Sequence, residues 1–212
     1  NRAPDLINKK MQDKALGFIK KLQFEKALPY LKTLEKLNNP WSLNTLGVFY
    51  QYGYAVPKNY KKSYIYFKKA KRLNFTQAFF NLARMYQEGW GTKVNYEKAL
   101  LLLKNAANNN HVNSKTNIGF IYRNGLGVTR DFKEAIRWYK LAAINGNSLA
   151  QSELGLFYEK GYGTSKNYFE AKKWYVLSAE QGDKFANDSL ERINTLIKEN
   201  PIKTDNNTSS FN

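Results

Sequence analysis

The sequence predicts an all-α fold: a right-handed superhelical solenoid of antiparallel helix pairs. Three observations carry that prediction. Tyrosines recur at a fixed step of 36 residues, at Tyr50, Tyr86, Tyr122 and Tyr158. Glycines keep the step at Gly53, Gly89, Gly125 and Gly161, and again at Gly91, Gly127 and Gly163, with Ala55 in the first copy. Small residues follow in register at Ser63, Ala99, Ala135 and Ala171, then at Ala70, Ala106, Ala142 and Ser178. No insertion or deletion breaks the period. Self-similarity of this kind marks units that bury their apolar faces only by stacking on neighbours.

Each copy reads as two helices. In the third, Ile118, Ile121 and Tyr122 fall at helical spacing, with Gly119 on the same side. Gly125-Leu126-Gly127 stops that helix, because glycine accepts the left-handed conformation of a C-terminal cap. Asp131 is placed to cap a second helix, from about Phe132 to Ile144, and Asn145-Gly146 ends it. Copy boundaries fall at 41–74, 75–110, 111–146 and 147–182.

The fourth copy reads Leu154-Gly155-Leu156-Phe157-Tyr158-Glu159-Lys160-Gly161-Tyr162-Gly163, then Asn167-Tyr168, Ala171, Trp174-Tyr175, Ser178-Ala179 and Gly182. This pattern resembles the Sel-one-like repeat (SLR), a relative of the tetratricopeptide repeat, over residues 41–182. The first copy departs most, with Ala55 for a glycine, Ser63 for an alanine and Lys71 for the second alanine; Ala83 replaces a glycine in the second. Residues 1–40 are expected to form an N-terminal helical hairpin cap, in which Phe24-Glu25-Lys26-Ala27-Leu28 echoes Tyr96-Glu97-Lys98-Ala99-Leu100. Pro29 is expected in the first turn of its second helix, where proline is tolerated. Residues 183–199 read as a capping helix and 200–212 as a disordered tail.

Composition narrows the function. Thirty-four Lys and Arg face 17 Asp and Glu, a formal net charge of +17 that points to nucleic acid, an anionic membrane surface or an acidic protein as partner. Cysteine is absent, which removes disulfides, thiolate metal sites and a cysteine nucleophile. The longest apolar run, Ala99 to Leu103, is far short of the ~18 residues of a membrane span. The chain opens on Asn1 rather than Met, as either a trimmed chain or one with a removed targeting segment does, so location stays open, with periplasmic or exported favoured over cytoplasmic. The single histidine, His111, reads as a lone surface residue at a turn, and Glu88, Glu153, Glu159 and Glu170 as solvated. No clustered metal ligands or catalytic constellation emerge, so the expectation is a non-enzymatic protein with no cofactor and no metal. The Gly-x-Gly triplets recur in every copy and lack the strand-turn-helix setting of a phosphate loop.

Lysines and arginines concentrate on the second helices: Lys61, Lys62, Lys68 and Lys69; Lys98 and Lys104; Lys133, Arg137 and Lys140; Lys172 and Lys173. They read as a solvated convex face. Most aromatics hold repeat-invariant positions and are core, which disfavours base stacking on nucleic acid. The resemblance implies that first helices line a concave groove. The groove residues outside the packing signature are Trp41, Asn44, Val48, Gln51 and Tyr52; Gln77, Phe80, Arg84 and Gln87; Asn113, Thr116, Phe120 and Arg123; and Ser152, Leu156 and Glu159. Phe80, Phe120, Tyr52, Arg84 and Arg123 match the aromatic and arginine bias of binding hot spots, while Val48, Phe120 and Leu156 also read as packing between layers.

The expected function is therefore a scaffold or inhibitor, a monomer when alone, that clasps an acidic protein in its groove. An immunity protein neutralising a secreted bacterial toxin is one form of that role, and a host-interaction, envelope or signalling adaptor another. A hydrolase, and a basic face for anionic membrane or nucleic acid, are the alternatives from other classes.

Overall fold

Asparagine and glycine punctuate a chain of eleven helices among the described residues. A computed structural model describes residues 3–199, with side-chain surroundings given from residue 6, and no strand occurs in them. The expected tail at 200–212 lies outside the described residues. Two compact units are present, Asn1–Arg130 and Asp131–Asn212, so the division falls inside the third copy.

The first unit contains α1 (Ala3–Lys20), α2 (Phe24–Lys36), α3 (Pro40–Tyr52), α4 (Tyr60–Arg72), α5 (Thr76–Glu88), α6 (Tyr96–Asn108) and α7 (Val112–Asn124). The second contains α8 (Phe132–Ala143), α9 (Ser148–Lys160), α10 (Tyr168–Ala179) and α11 (Lys184–Glu199). Within each unit every helix packs on the next in the chain.

The helix ends follow the residues expected to make them. Asn59, Asn95, Asp131 and Asn167 cap the second helices, each accepting the backbone N–H three residues on. Gly53, Gly89, Gly125 and Gly161 close the first helices in the left-handed region, their N–H groups bonding Phe49, Met85, Ile121 and Phe157 carbonyls. The recurrent tyrosine also has a backbone role. Asn59, Asn95 and Asn167 N–H donate to the carbonyls of Tyr50, Tyr86 and Tyr158, closing each loop. A lysine of a second helix lies over each tyrosine ring: Lys62 on Tyr50, Lys98 on Tyr86, Lys104 on Tyr122 and Lys140 on Tyr158, at 5.2 to 5.7 Å. Part of the basic surface is thus packed rather than merely solvated.

Close approach of paired helices needs the recurrent small residue. A Cβ on Gly47 would stand 2.5 Å from the Phe67 ring, and one on Gly155 2.5 Å from Tyr175. Copy two carries Ala83 instead, and at the position of Phe67 and Tyr175 it carries the smaller Leu103. The exchange keeps the volume of the pair nearly constant.

The terminal helices build their own cores. Ala15, Ala27 and Leu31 pack with Leu46 and Phe49 of α3, and Phe18 stacks on Tyr30 at 5.8 Å. Pro29 is the sixth residue of α2, a turn deeper than expected, and is exposed. Only the carbonyl of Glu25 loses a bond there, and exposure lets water replace it. Asp183 caps α11 through the Ala186 N–H, and Ile193 and Ala186 pack against Ala171 and Tyr175.

Gly125→Val tests the loop placement. A Cβ at Gly125 would lie 3.1 Å from the Arg130 backbone nitrogen at φ +66°, so the substitution should destabilise by about 1–3 kcal/mol in urea unfolding. A neutral result contradicts the left-handed cap.

Candidate partner-binding surface

In the first unit the first helices α3, α5 and α7 are joined by a chain of polar side chains. Asn81 Nδ2 donates to Asn44 Oδ1 at 2.9 Å, and Gln77 Nε2 reaches Asn81 Oδ1 at 3.3 Å. The chain continues to α7 through His111, whose Nε2 lies 3.0 Å from Gln77 Oε1. His111 Nδ1 accepts the Ser114 N–H at 3.2 Å and so caps α7. That acceptor role places the ring proton on Nε2, which donates to Gln77. Phe80 covers the imidazole with ring centroids 4.7 Å apart. His111 is therefore half-buried and built into the helix junction, not a lone surface residue. Burial holds its pKa below the ordinary 6.5.

The expected groove residues divide by burial. Asn44, Gln51, Thr116, Ser152 and Glu159 are buried, a correction to their reading as open groove positions. Asn44 belongs to the polar chain, and Ser152 donates to Asp183 at 2.8 Å, beside Ser178, which bonds the same oxygen. Glu159, expected to be solvated, is 2% exposed. Burial pushes its pKa up, but hydrogen bonds from Arg192, Lys160 and Tyr175 outweigh that cost and hold it at about 2. Arg192 contributes two of them, at 3.0 and 2.8 Å, and thereby ties α11 to α9. Phe80 is half-buried on His111, which corrects its reading as a freely exposed anchor.

The remaining positions stay accessible. Tyr52 is 48% exposed and stacks on Tyr54, and Phe120 is 44% exposed. Arg84 lies over the Trp90 ring at 5.5 Å. Gln77, Gln87 and Arg123 are half-buried. Trp41 and Val48 line an apolar recess of about 230 Å³ with Leu16 and Ile19 of α1. Asn113 is exposed, and Leu156 in the second unit is half-buried. The recess, the histidine junction and the Glu159 lock were not foreseen. A signal existed for His111 alone: it holds the N-cap position that Asn39 and Asn147 hold in their copies.

Among the described residues no group of three or more His, Asp and Glu side chains is placed to hold a metal ion. No helix among them is long and apolar enough to cross a membrane.

Helix pairs in strict register, with Asn or Asp capping each second helix and glycine closing each first helix of the four copies, define a helical-repeat scaffold for protein interaction. The family model that matches is the Sel1 repeat, over residues 42–75, 77–111, 113–147 and 148–183, and the chain belongs to that family. Among solved structures, a Sel1 repeat protein from Oxalobacter formigenes is 32% identical, with 87% of this chain and 75% of that chain covered and a TM-score of 0.81. A protective antigen of uropathogenic Escherichia coli displaying an SLR fold is 31% identical over 82% of this chain but 37% of its own, with a TM-score of 0.78. An immunity protein from Pseudomonas aeruginosa shares the fold at 21% identity, over 77% of this chain and 60% of that chain, with a TM-score of 0.53. No curated protein matches the chain.

The histidine junction makes stability depend on pH. The folded-state pKa of His111 is depressed, so its contribution is fully present above the unfolded value of 6.5 and is lost as pH falls through the lower folded value. The melting temperature should therefore drop between about pH 7 and about pH 5, and His111→Asn, which keeps a capping acceptor, should flatten that slope. With a single histidine in the chain, an unchanged slope contradicts the junction.

Proposed function

We propose that this chain is a protein-binding scaffold of the inhibitor type, holding an acidic partner over the surface of its first helices. The observation that carries the reading is the set of large side chains that break repeat register there. Arg84 stands where copies one, three and four have Val48, Phe120 and Leu156. A packing role asks for similar residues at equivalent positions. Exposed Tyr52 and Phe120, with Arg84 held over Trp90, are instead the residue types that anchor interfaces. The apolar recess at Trp41 adds a place for a partner's side chain.

Within this class the favoured role is an immunity protein that neutralises a secreted toxin. A charge of +17 supports it, since an acidic toxin is steered rapidly onto a basic inhibitor. The same fold occurs in an immunity protein from Pseudomonas aeruginosa. An adaptor in host interaction or in envelope and signalling assemblies uses the same surface.

The test begins by isolating the partner with the chain as bait and measuring kinetics by surface plasmon resonance. The association rate should fall steeply between about 50 and about 500 mM salt while dissociation barely changes. Tyr52→Ala with Phe120→Ala should weaken binding by about 30-fold or more through faster dissociation, at an almost unchanged melting temperature. A salt-independent association rate contradicts the acidic partner, and full retained affinity moves the site off the first helices.

A further inference from the structure

The opposite side of the first unit, formed by second helices, carries a cavity of about 240 Å³ between α4 and α6 over α5. Repeat register explains why it exists. Copies one, three and four place Tyr66, Trp138 and Trp174 at one position, and copy two places Leu102 there. The shorter side chain leaves the space open, and Leu82 and Leu101 complete its apolar lining. Leu101 is 64% exposed; copy one has the exposed Ile65 at this position, and copies three and four have Arg137 and Lys173.

The rim is equally particular to this place. Lys68, Lys71, Arg72 and Lys98 surround the opening, and none of the lining residues is acidic. Lys71 replaces the alanine found at Ala107, Ala143 and Ala179. Across α4, α5 and α6 the only carboxylates are Glu88 and Glu97, and neither makes an ion pair with the rim cations. Lys68, Lys71 and Lys98 rest over the Tyr64, Phe79 and Tyr86 rings, but none of the four cations has a carboxylate partner among the described residues, so the rim keeps a net attraction for negative charge.

We infer that this cavity docks an acidic segment of a partner protein. The segment inserts one apolar side chain between Leu101 and Leu102 and sets flanking carboxylates against Lys68, Lys71, Arg72 and Lys98. Neither the size nor the chemistry suits other occupants. Pockets for small molecules start at about 300 Å³, above the space available. Nucleic acid would need open ring faces for its bases. The two tyrosines lining the site, Tyr64 and Tyr86, share an O–H···O bond of 2.7 Å, and Lys68 and Lys98 lie over their rings at 5.4 and 5.7 Å. This site goes beyond the first-helix surface and shares no residue with it, so each can fail alone.

Fluorescence anisotropy on the full chain tests the inference with labelled short peptides in which Asp and Glu flank one variable position. A thymidine oligonucleotide and phosphatidylserine vesicles serve as competing probes. Peptides with Leu, Ile or Phe at the variable position should bind about tenfold or more tightly than those with Gly or Ser. Leu102→Trp, which restores the residue of copies three and four, should abolish that preference, and Lys71→Ala should weaken every acidic peptide. Should Leu102→Trp fail to fold by circular dichroism, the exposed change Leu101→Arg makes the same test. Equal binding of all peptides, no peptide binding, or tighter capture of the oligonucleotide or vesicles through the same residues overturns the inference.

Discussion

Successive repeats meet where the loop after a first helix lies on the start of the preceding second helix, and the rest of the fold hangs on that contact. Two residues make it. The residue before the second glycine is aromatic in three copies and stacks nearly parallel on the first residue of the earlier helix. Tyr54 stacks on Phe24 at 4.2 Å, Trp90 on Tyr60 at 5.3 Å and Tyr162 on Phe132 at 5.0 Å. In the later copies a glycine then passes so close to the same helix start that a Cβ would press into it, whereas the first copy holds Ala55 at the same left-handed position, φ +53°. A Cβ on Gly127 would stand 2.7 Å from Tyr96 Cβ, and one on Gly163 2.7 Å from the Phe132 carbonyl carbon. Backbone is thereby brought against backbone, a constraint with few alternative solutions.

A frame built this way confines variation to places the contact does not use. One such place is the first-helix surface, where Tyr52 and Arg84 depart from register. Another is the second-helix side, where Leu102 and Lys71 do. Departures are informative because nearest-neighbour stacking demands the same residue at every copy, and a residue that escapes the demand answers to something else. The interior polar chain from Asn44 to His111 sits between these regimes. Buried at Asn44 and Asn81 and half-buried at Gln77 and His111, it is satisfied along its length and fixes how α3, α5 and α7 align.

Helix number, caps and turns were legible in the sequence because each rests on local chemistry that recurs. Asp131 and Gly125 stand where spacing placed them. The binding surface was less legible. Periodicity tells which face a residue occupies but not whether a neighbour covers it, so Asn44, Gln51, Thr116, Ser152 and Glu159 read as open while they are buried. Glu159 depends on Arg192, 33 residues away on a helix outside the repeat period, and no pattern within a copy announces that pair. His111 and Gln77 meet across 34 residues in the same manner. The cavity at Leu102 was hidden for a different reason: a missing bulk is seen only when four copies are compared at one position and the space is then measured.

Comparing two glycines of the second unit separates the stacking contact from simple backbone preference. Gly146 and Gly163 both hold positive φ, +80° and +65°, but a Cβ at Gly146 meets nothing within 4 Å while one at Gly163 meets the backbone of Phe132 and Lys133. Urea unfolding of each alanine variant measures the difference. Gly146→Ala should cost about 1 kcal/mol for the left-handed conformation alone, and Gly163→Ala about 3 kcal/mol or more because the repeat contact must open as well. Equal costs for the two would contradict the claim that the glycine loop is what joins one repeat to the next.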